Sequence, residues 1–555
     1  MSVLNFKLSN FGLAGIRWHK SCFRKGNAVL IKNLFTVIIL IMLTIPCIAK
    51  AEEASAFARN FGGTLRWGTC HKPTIINPLY TTHSVSMSLL DLLFNRLVRW
   101  NSAGEIEPDL AESWLISEDG LTYIFHLKKG VLFHDGVECT AADIKFTYDR
   151  LTDPEINSPF RSSFEEVKSF DVIDKYTFRI VLKQSTASFI CRLTREIVPK
   201  HLFTAVNGRK IDFGLNPIGT GPFKFKEWKE NEIVLQSNQD YHEGRPFLDN
   251  IVVKIYPDSS DIWAALMRNE VDLVLFMEME DHGVIKNNPA FKTYASPDDF
   301  YYALCYKLTN SILSSKDIRV AIAHAIDRKA LIEKASFGYG AECNGPFNPD
   351  SIGFNPDVVP MEYDPEKARN ILAEAGWFDG DGDGILGKEG QTLQVNLMVD
   401  ERSILSKKIA MLIRQQLQEV GIKIKIVFYD DNSFASGGLD DRQEQAYLKI
   451  LISGIDSDDA REEWCAKLER PGKIWGYSDE KMNKLFELGA TLRNPKKRKH
   501  IYQKLHKLIY EDQRACFLYF PFSFHAVSKR IKNTDGFFQR TMPFYTLKDW
   551  YISEN

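Results

Sequence analysis

The stretch DLAESWLISEDGLTYIFHLKKGVLFHDGVECTAADIKFTYDRL, Asp109 to Leu151, decides how this chain is read. Leu121, Tyr123, Phe125 and Leu127 alternate with Thr122, Ile124, His126 and Lys128, the period of a strand with one buried face. Lys129-Gly130 turns the chain, and Val131-Leu132-Phe133 is expected to start a partner strand that stops at Asp135-Gly136. Thr140 then caps a helix, and Asp143 stands where a capping box needs a carboxylate. Ile144, Tyr148 and Leu151 share one face of that helix. Strand, hairpin and capped helix make a folding unit and carry no catalytic signature.

The composition around this unit is that of a globular protein. The chain has 555 residues, 44% hydrophobic and 26% charged, enough for more than one core. Residues 1–51 hold seven Lys or Arg and no acid, so the body beyond them is mildly acidic. With no basic stripe, that balance argues against a nucleic-acid partner. Leu34 to Ala49 is an uncharged run of 16 residues, preceded by Lys25 and Lys32 and followed by the small-residue spacing Ala49-Lys50-Ala51. It reads as a secretory signal peptide, shorter than a bilayer-spanning helix requires. Seven cysteines lie beyond it, an odd number in an exported chain, so at least one thiol is free or joined to another chain. None is in CxxC spacing, and mostly buried free thiols, with one disulfide at most, are expected.

Further along, strands and helices alternate. Gly63 to Gly68 reads as a first strand, and Ser84 to Val98 as a helix with Met87, Leu90, Phe94 and Leu97 on one face. Tyr176 to Leu182 alternates again, so Asn101 to about Leu215 is β-rich. Ile251–Ile255, the helix Asp261–Val271 and the strand Asp272–Phe276 make a β-α-β unit. Phe300 to Tyr306 is an apolar strand, followed by a helix capped by Ser315. Asp364-Pro365 starts another helix that Gly376 ends, and Ser406–Val420 closes at Gly421 into the strand Ile422–Phe428. The Lys496 to Lys499 cluster reads as a solvated helix face.

The opening stretch, the string PIGTGPF at Pro217–Phe223 with its following strand, and DIRVAIAHAIDRKALIEKA from Asp317 resemble, in this order, the family 5 extracytoplasmic solute-binding proteins of ABC importers. The match departs at Cys305-Tyr306, where that family commonly has an asparagine. The resemblance implies an α/β fold of two lobes, the type II periplasmic-binding-protein-like architecture, with an extra β-rich subdomain inserted in lobe I. On that layout 1–51 is the signal, and lobe I covers 52–297 and 526–555, with the insert at about 101–215. Lobe II covers 298–525. Two chain crossings between the lobes would act as a hinge. The implied function is a periplasmic receptor, monomeric and without a cofactor, that captures a peptide and passes it to an ABC permease in the inner membrane. A nickel chelate, haem or another solute is the alternative on the same fold, and an exported enzyme or sensory partner protein the alternative of another class.

For a peptide, the resemblance carries Asp456 as partner of the ligand ammonium, with Ile452, Ser453 and Gly454 as main-chain partners. A shift of register would promote Asp458 instead. Thr82, His83 and Ser84 fall where the family has its cleft, and Lys449 or Arg402 could meet a ligand carboxylate. Main-chain pairing ignores side-chain identity, and an enclosed carboxylate–ammonium contact is strong. Asp379, Asp381 and Asp383 look like the front of a calcium loop, but the twelfth position is Gly390, one past Glu389, so bidentate closure is missing. There is no GxSxG, no HExxH, no P-loop, and none of the twelve histidines stands at i, i+4 spacing, so catalysis has no positive support.

Overall fold

The computed structural model describes residues 61–203, 213–429, 445–465, 479–538 and 542–553. The expected signal peptide therefore lies outside the described residues. Lobe I opens with β1 (Thr64–Thr69) and α1 (Ser84–Leu93). The inserted subdomain follows: β2 (Ala111–Ile116), β3 (Thr122–Leu127), α2 (Ala141–Thr152), β4 (Val167–Asp174) and β5 (Thr177–Leu182). Its four strands form a separate antiparallel sheet in the order β2-β3-β5-β4. The chain returns through β6 (Phe223–Trp228), β7 (Glu232–Ser237), β8 (Asn250–Ile255), α3 (Ser259–Met267), β9 (Leu273–Val274), α4 (Met279–Ile285) and β10 (Phe291–Pro297). Lobe II holds β11 (Phe300–Tyr306), α5 (Lys316–Ala325), α6 (Arg328–Ser336), β12 (Gly340–Glu342) and α7 (Pro365–Glu374). It continues with β13 (Gln394–Asp400), α8 (Ile404–Gln418), β14 (Lys423–Tyr429), β15 (Ala446–Ile452), α9 (Glu480–Thr491) and α10 (Pro495–Asp512). The long strand β16 (Ala515–Ser528) comes last.

β16 belongs to both lobes. Its first half pairs with β11 and β12, and its second half with β10 and β9. The change of partner falls between Pro521, opposite Gly340, and Phe522, opposite Pro297. The lobe I order is β16-β9-β1-β8-β7-β6, with β1 parallel to both β8 and β9, so β8-α3-β9 is the expected β-α-β unit with β1 between its strands. The lobe II order is β14-β13-β15-β11-β16. The second chain crossing is the short link Asp298-Asp299 between β10 and β11. Each lobe buries apolar side chains on both faces of its part of the sheet, which is why these strands read as near-continuous apolar runs.

The opening unit folds largely as read. Tyr123, Phe125 and Leu127 are buried, as are Ile144, Tyr148 and Leu151, and the Thr140–Asp143 capping box is present. The expected hairpin is not. β3 is flanked by β2 and β5, which occupy both its edges, and Leu132 makes only an isolated bridge to Glu138. Val131 and Phe133 are buried without a ladder, so their apolar character reported burial and not pairing. The helix expected from Ser84 to Val98 ends at Leu93. The helix expected from Ser315 divides at Ile326-Asp327 because Asp327 caps a new helix, accepting from the Ala330 N–H at 2.9 Å. The buried Arg328 fixes that break by donating to the carbonyls of Phe517 (2.7 Å), Ala323 and Met361 (both 3.2 Å). Gly376 and Gly421 stop their helices with φ of +87° and +82°. All seven cysteines beyond the expected signal are free, and five are buried. Among the described residues no helix is long and apolar enough to cross a membrane.

Lobe I is tied together by one carboxylate. Asp272, before β9, has a side chain only 1% exposed and is gripped by Arg66 of β1 (2.7 and 2.8 Å) and by Arg530 after β16 (both bonds 2.6 Å). Burial would raise its pKa, but hydrogen bonds from the two guanidiniums, then their charges, outweigh it and hold Asp272 below the ordinary carboxylate range. A depressed folded pKa stabilises the fold above the unfolded value, near 4, and that contribution fades as pH falls through the lower folded value. Asp272→Asn is expected to cost about 3 kcal/mol at pH 7. Calorimetric melting at pH 7 and down through pH 4 should show a lower Tm for the variant and a shallower acid decline than in wild type.

Candidate functional site

β15 has two unlike edges. On one side it pairs with β11 along its whole length, from Ala446 opposite Tyr306 to Ile452 opposite Phe300. On the other it meets β13 only at Ala446 and Tyr447. The Ser453 N–H donates to the Asp299 carbonyl at 2.7 Å, so in this antiparallel ladder the odd-numbered residues bond to β11. The main-chain groups of Ile450 and Ile452 therefore turn the other way, past the last rung to β13, where the described residues offer no ladder partner. A groove of about 600 Å³ lies there, walled by β15 and by Asp400, Ser406 and Tyr429, with Gly454, Asp459 and Glu463 at its end. Ile450 and Ile452 are 48% and 73% exposed, because nothing described covers this end of the sheet.

The chain leaves β15 through a tightly fixed turn. Ser453 is buried, and its hydroxyl accepts from the Asn348 N–H at 2.8 Å. Gly454 has φ +69°, and a Cβ there would stand 2.3 Å from the Asp459 Cβ, so only glycine fits. Asp456 then caps the 3₁₀ turn Ser457–Ala460, accepting from the Asp458 N–H at 2.7 Å, while the Asp459 carboxylate takes the Asp456 N–H at 3.1 Å.

The three aspartates meet three environments. Both oxygens of Asp456 receive the Arg498 guanidinium, at 2.6 and 2.9 Å, so the carboxylate expected to meet a ligand ammonium is engaged inside the protein. Burial works against the charge of Arg498, but its bonds to Asp456 more than restore it and raise its pKa. Asp458 is buried and accepts from the Tyr502 hydroxyl (2.7 Å) and Arg461 (3.2 Å). Asp459 is exposed on the groove wall. Asp456 and Arg498 also border a second cleft of about 520 Å³, whose other walls are Trp100 and Cys191 of lobe I and Asp350 to Ile352 of lobe II. Nearby the lobes touch directly: Arg493 donates to the carbonyls of Ser117 (2.7 Å) and Glu118 (2.9 Å), and the Ala187 N–H to the Ala490 carbonyl (2.5 Å).

The other expected residues scatter. Lys449 lines the groove, and Arg402 is exposed and bonded to Asp400. Thr82, His83 and Ser84 sit at the start of α1, where His83 occupies the cap position without a side-chain cap and its ring faces His71 at 6.4 Å. Asp379, Asp381 and Asp383 do gather within 4.8 Å of one another, all exposed, with Asp379 accepting from the N–H groups of Gly382 and Gly384 in its own turn. Reading the sequence missed Asp400, Asp459, Glu463 and Arg498. Asp459 carried a signal, since it stands three residues after a capping Asp. Arg498 carried none: its neighbours Lys496, Lys497 and Lys499 are exposed as expected, and it alone turns inward.

A family model described as bacterial extracellular solute-binding proteins, family 5 (middle) matches residues 105–464. The chain is 28% identical over 517 residues to the oligopeptide-binding protein AppA of Bacillus subtilis, covering 91% of this chain and 94% of that one. It is 30% identical over 364 residues to heme-binding protein A of Haemophilus influenzae, covering 61% and 65%. Bacillus subtilis AppA in complex with a nonapeptide superposes with a TM-score of 0.70 at 27% identity, covering 89% of this chain and all of that one. NikZ from Campylobacter jejuni in complex with Ni(L-His) gives 0.72 at 26% identity, covering 88% and 99%.

The Asp456–Arg498 pair is nearly enclosed, with side chains 12% and 10% exposed. Asp456→Asn should leave Arg498 without its charge partner and lower stability by about 3 kcal/mol. Lys496→Ala on the same helix should stay within about 0.5 kcal/mol of wild type. Urea unfolding of the two variants beside wild type measures the contrast.

Proposed function

The chain belongs to the bacterial extracellular solute-binding proteins of family 5, and from that premise we propose that it captures a peptide at the open edge of β15 and delivers it to the permease of an ABC importer. The observation that carries this reading is the main-chain groups of Ile450 and Ile452, which face the groove beyond the last rung to β13. An extended peptide laid there would continue the ladder as an added strand, satisfying backbone donors and acceptors with no demand on side chains. Ile450 and Ile452 supply apolar surface beside it. With Asp400 already paired to Arg402, Asp459 and Glu463 outnumber Lys449 on the groove wall, which suits a terminal ammonium better than a terminal carboxylate. On this reading Asp459 takes the role expected of Asp456, whose carboxylate serves to fix the turn.

We read residues 1–51 as an export signal and the receptor as a monomer without catalytic activity, working outside the inner membrane. The lobes meet at Asp298-Asp299 and inside β16 near Pro521-Phe522, so bending at these two links would close the clefts over a guest. Peptide binding by AppA and the Ni(L-His) complex of NikZ mark the two ligand classes to compare. Titration calorimetry of the mature protein with tri- to nonapeptides should give binding. Methylating alternate peptide amides should weaken it by about tenfold for each ladder hydrogen bond lost. Asp459→Asn with Glu463→Gln should weaken a free-amino peptide more than its N-acetylated form. Binding of nickel–histidine or haem with none by any peptide sinks the reading.

A further inference from the structure

A small cavity of about 130 Å³ lies in lobe I where the parallel strands β1 and β9 end. Its walls are mixed: Ile262, Trp263 and Leu266 from α3 and Val274, Phe276 and Met277 from the end of β9 give an apolar side, and Thr69, His71 and Ser259 a polar one. The C-terminal ends of parallel strands are where open α/β sheets present ligand sites. The cavity also lies at the lobe crossing. The Met277 N–H donates to the Phe524 carbonyl at 2.9 Å, two residues from Phe522, which pairs with Pro297. Asp298-Asp299 follows directly, and the Asp299 carbonyl holds the end of β15.

Phe276 is out of place by ordinary folding rules. It is an aromatic residue with φ +53°, a region that bulky side chains avoid, and it is 54% exposed. The surroundings hold it there. Its N–H donates to Nδ1 of the buried His525 at 3.3 Å, and its ring meets the His525 ring edge-on at 5.2 Å. Burial pushes His525 down to about 4, so the ring is neutral and can accept that bond. Strain kept in place around an exposed aromatic is a mark of functional positions.

The rim is acidic. Glu278 stands exposed at the start of α4 without spending its side chain on the cap, and Asp281 faces the same cavity. Burial, then Glu278 and Glu280, push Asp281 up. An apolar side with an aromatic lip and two carboxylates matches an aliphatic stem that ends in a positive charge.

We propose that this cavity receives a lysine or arginine side chain of the bound peptide, the stem between Trp263, Leu266 and Phe276 and the cation at Glu278 and Asp281. The proposal rests on the peptide reading of the β15 groove. It is tested with the mature protein and an alanine tetrapeptide series carrying one lysine at each position in turn, each peptide matched by one with norleucine, which keeps the stem and drops the charge. At one position lysine is expected to bind about tenfold tighter than norleucine. Glu278→Gln with Asp281→Asn should erase that gap and leave the norleucine affinity in place. Phe276→Gly should weaken both peptides without lowering the Tm of the free protein. Peptides that bind with no lysine preference at any position overturn the pocket alone, as does a gap that survives the double variant. Failure of every peptide to bind wild type refutes the peptide reading and the pocket with it.

Discussion

The two lobes share a strand, and most of what this protein can do follows from that. β16 cannot shift in one sheet without carrying its backbone hydrogen bonds in the other, because it is held by β11 and β12 up to Pro521 and by β10 from Phe522 onward. Among the described residues the other link within the ladder region is the pair Asp298-Asp299. Such a connection resists sliding and twisting but permits bending where the partner changes. The contacts of Arg493 and Ala187 lie far along the chain from that link, on the turn of the inserted subdomain and the end of α9. They are few, polar and partly exposed, the kind that can break and remake at low cost. A stiff shared strand with a light contact elsewhere is a mechanical basis for opening and closing.

The open edge of β15 is the second consequence. An exposed strand edge is normally a hazard, and proteins cover it or place charge on it. Here β13 diverges after Met398, and the turn that follows β15 keeps the edge from being filled by its own chain. Gly454 lets the backbone reverse in little space, Ser453 is bonded at both its N–H and its hydroxyl, and Asp456 locks the next turn to α10 through Arg498. The ion pair thus acts on the groove indirectly. It holds the turn so that Asp459 faces outward and the β15 edge stays clear.

The sequence made faces and boundaries legible and left neighbours hidden. The alternation at Leu121–Leu127 gave the buried side of β3, and β11 was read at its observed bounds, because side-chain period is a local property. The capping box at Thr140 and the glycine stops at Gly376 and Gly421 are local too. Which strand lies beside which is not. Val131–Phe133 is as apolar as a ladder strand and sits in the core with a single isolated bridge. The three aspartates after β15 show the same limit. Asp456, Asp458 and Asp459 lie within four residues and look alike, and only α10, some forty residues further along the chain, decides their roles by placing Arg498 against one and Tyr502 against another. Reading Lys496 to Lys499 as one solvated face failed because helical period turns a single position of such a run inward.

Main-chain recognition has a limit that bears on the whole design. A groove that pairs with peptide backbone treats nearly every sequence alike, so its binding energy carries no information about side chains. A receptor built only on β15 would accept any extended chain of suitable length. Discrimination has to come from side-chain pockets and charges set beside the ladder, where a wrong group is left unpaired or clashes. The lobe I cavity has the form such a device needs: it is small, one side of it is apolar, and its lip is an aromatic residue held in a conformation that its own backbone disfavours. The cost of that conformation is borne by the free protein. The His525 contacts hold the residue there, and on our proposal a guest that meets the ring makes Phe276, far from β15 in sequence, the residue through which lobe I takes part in the choice of guest.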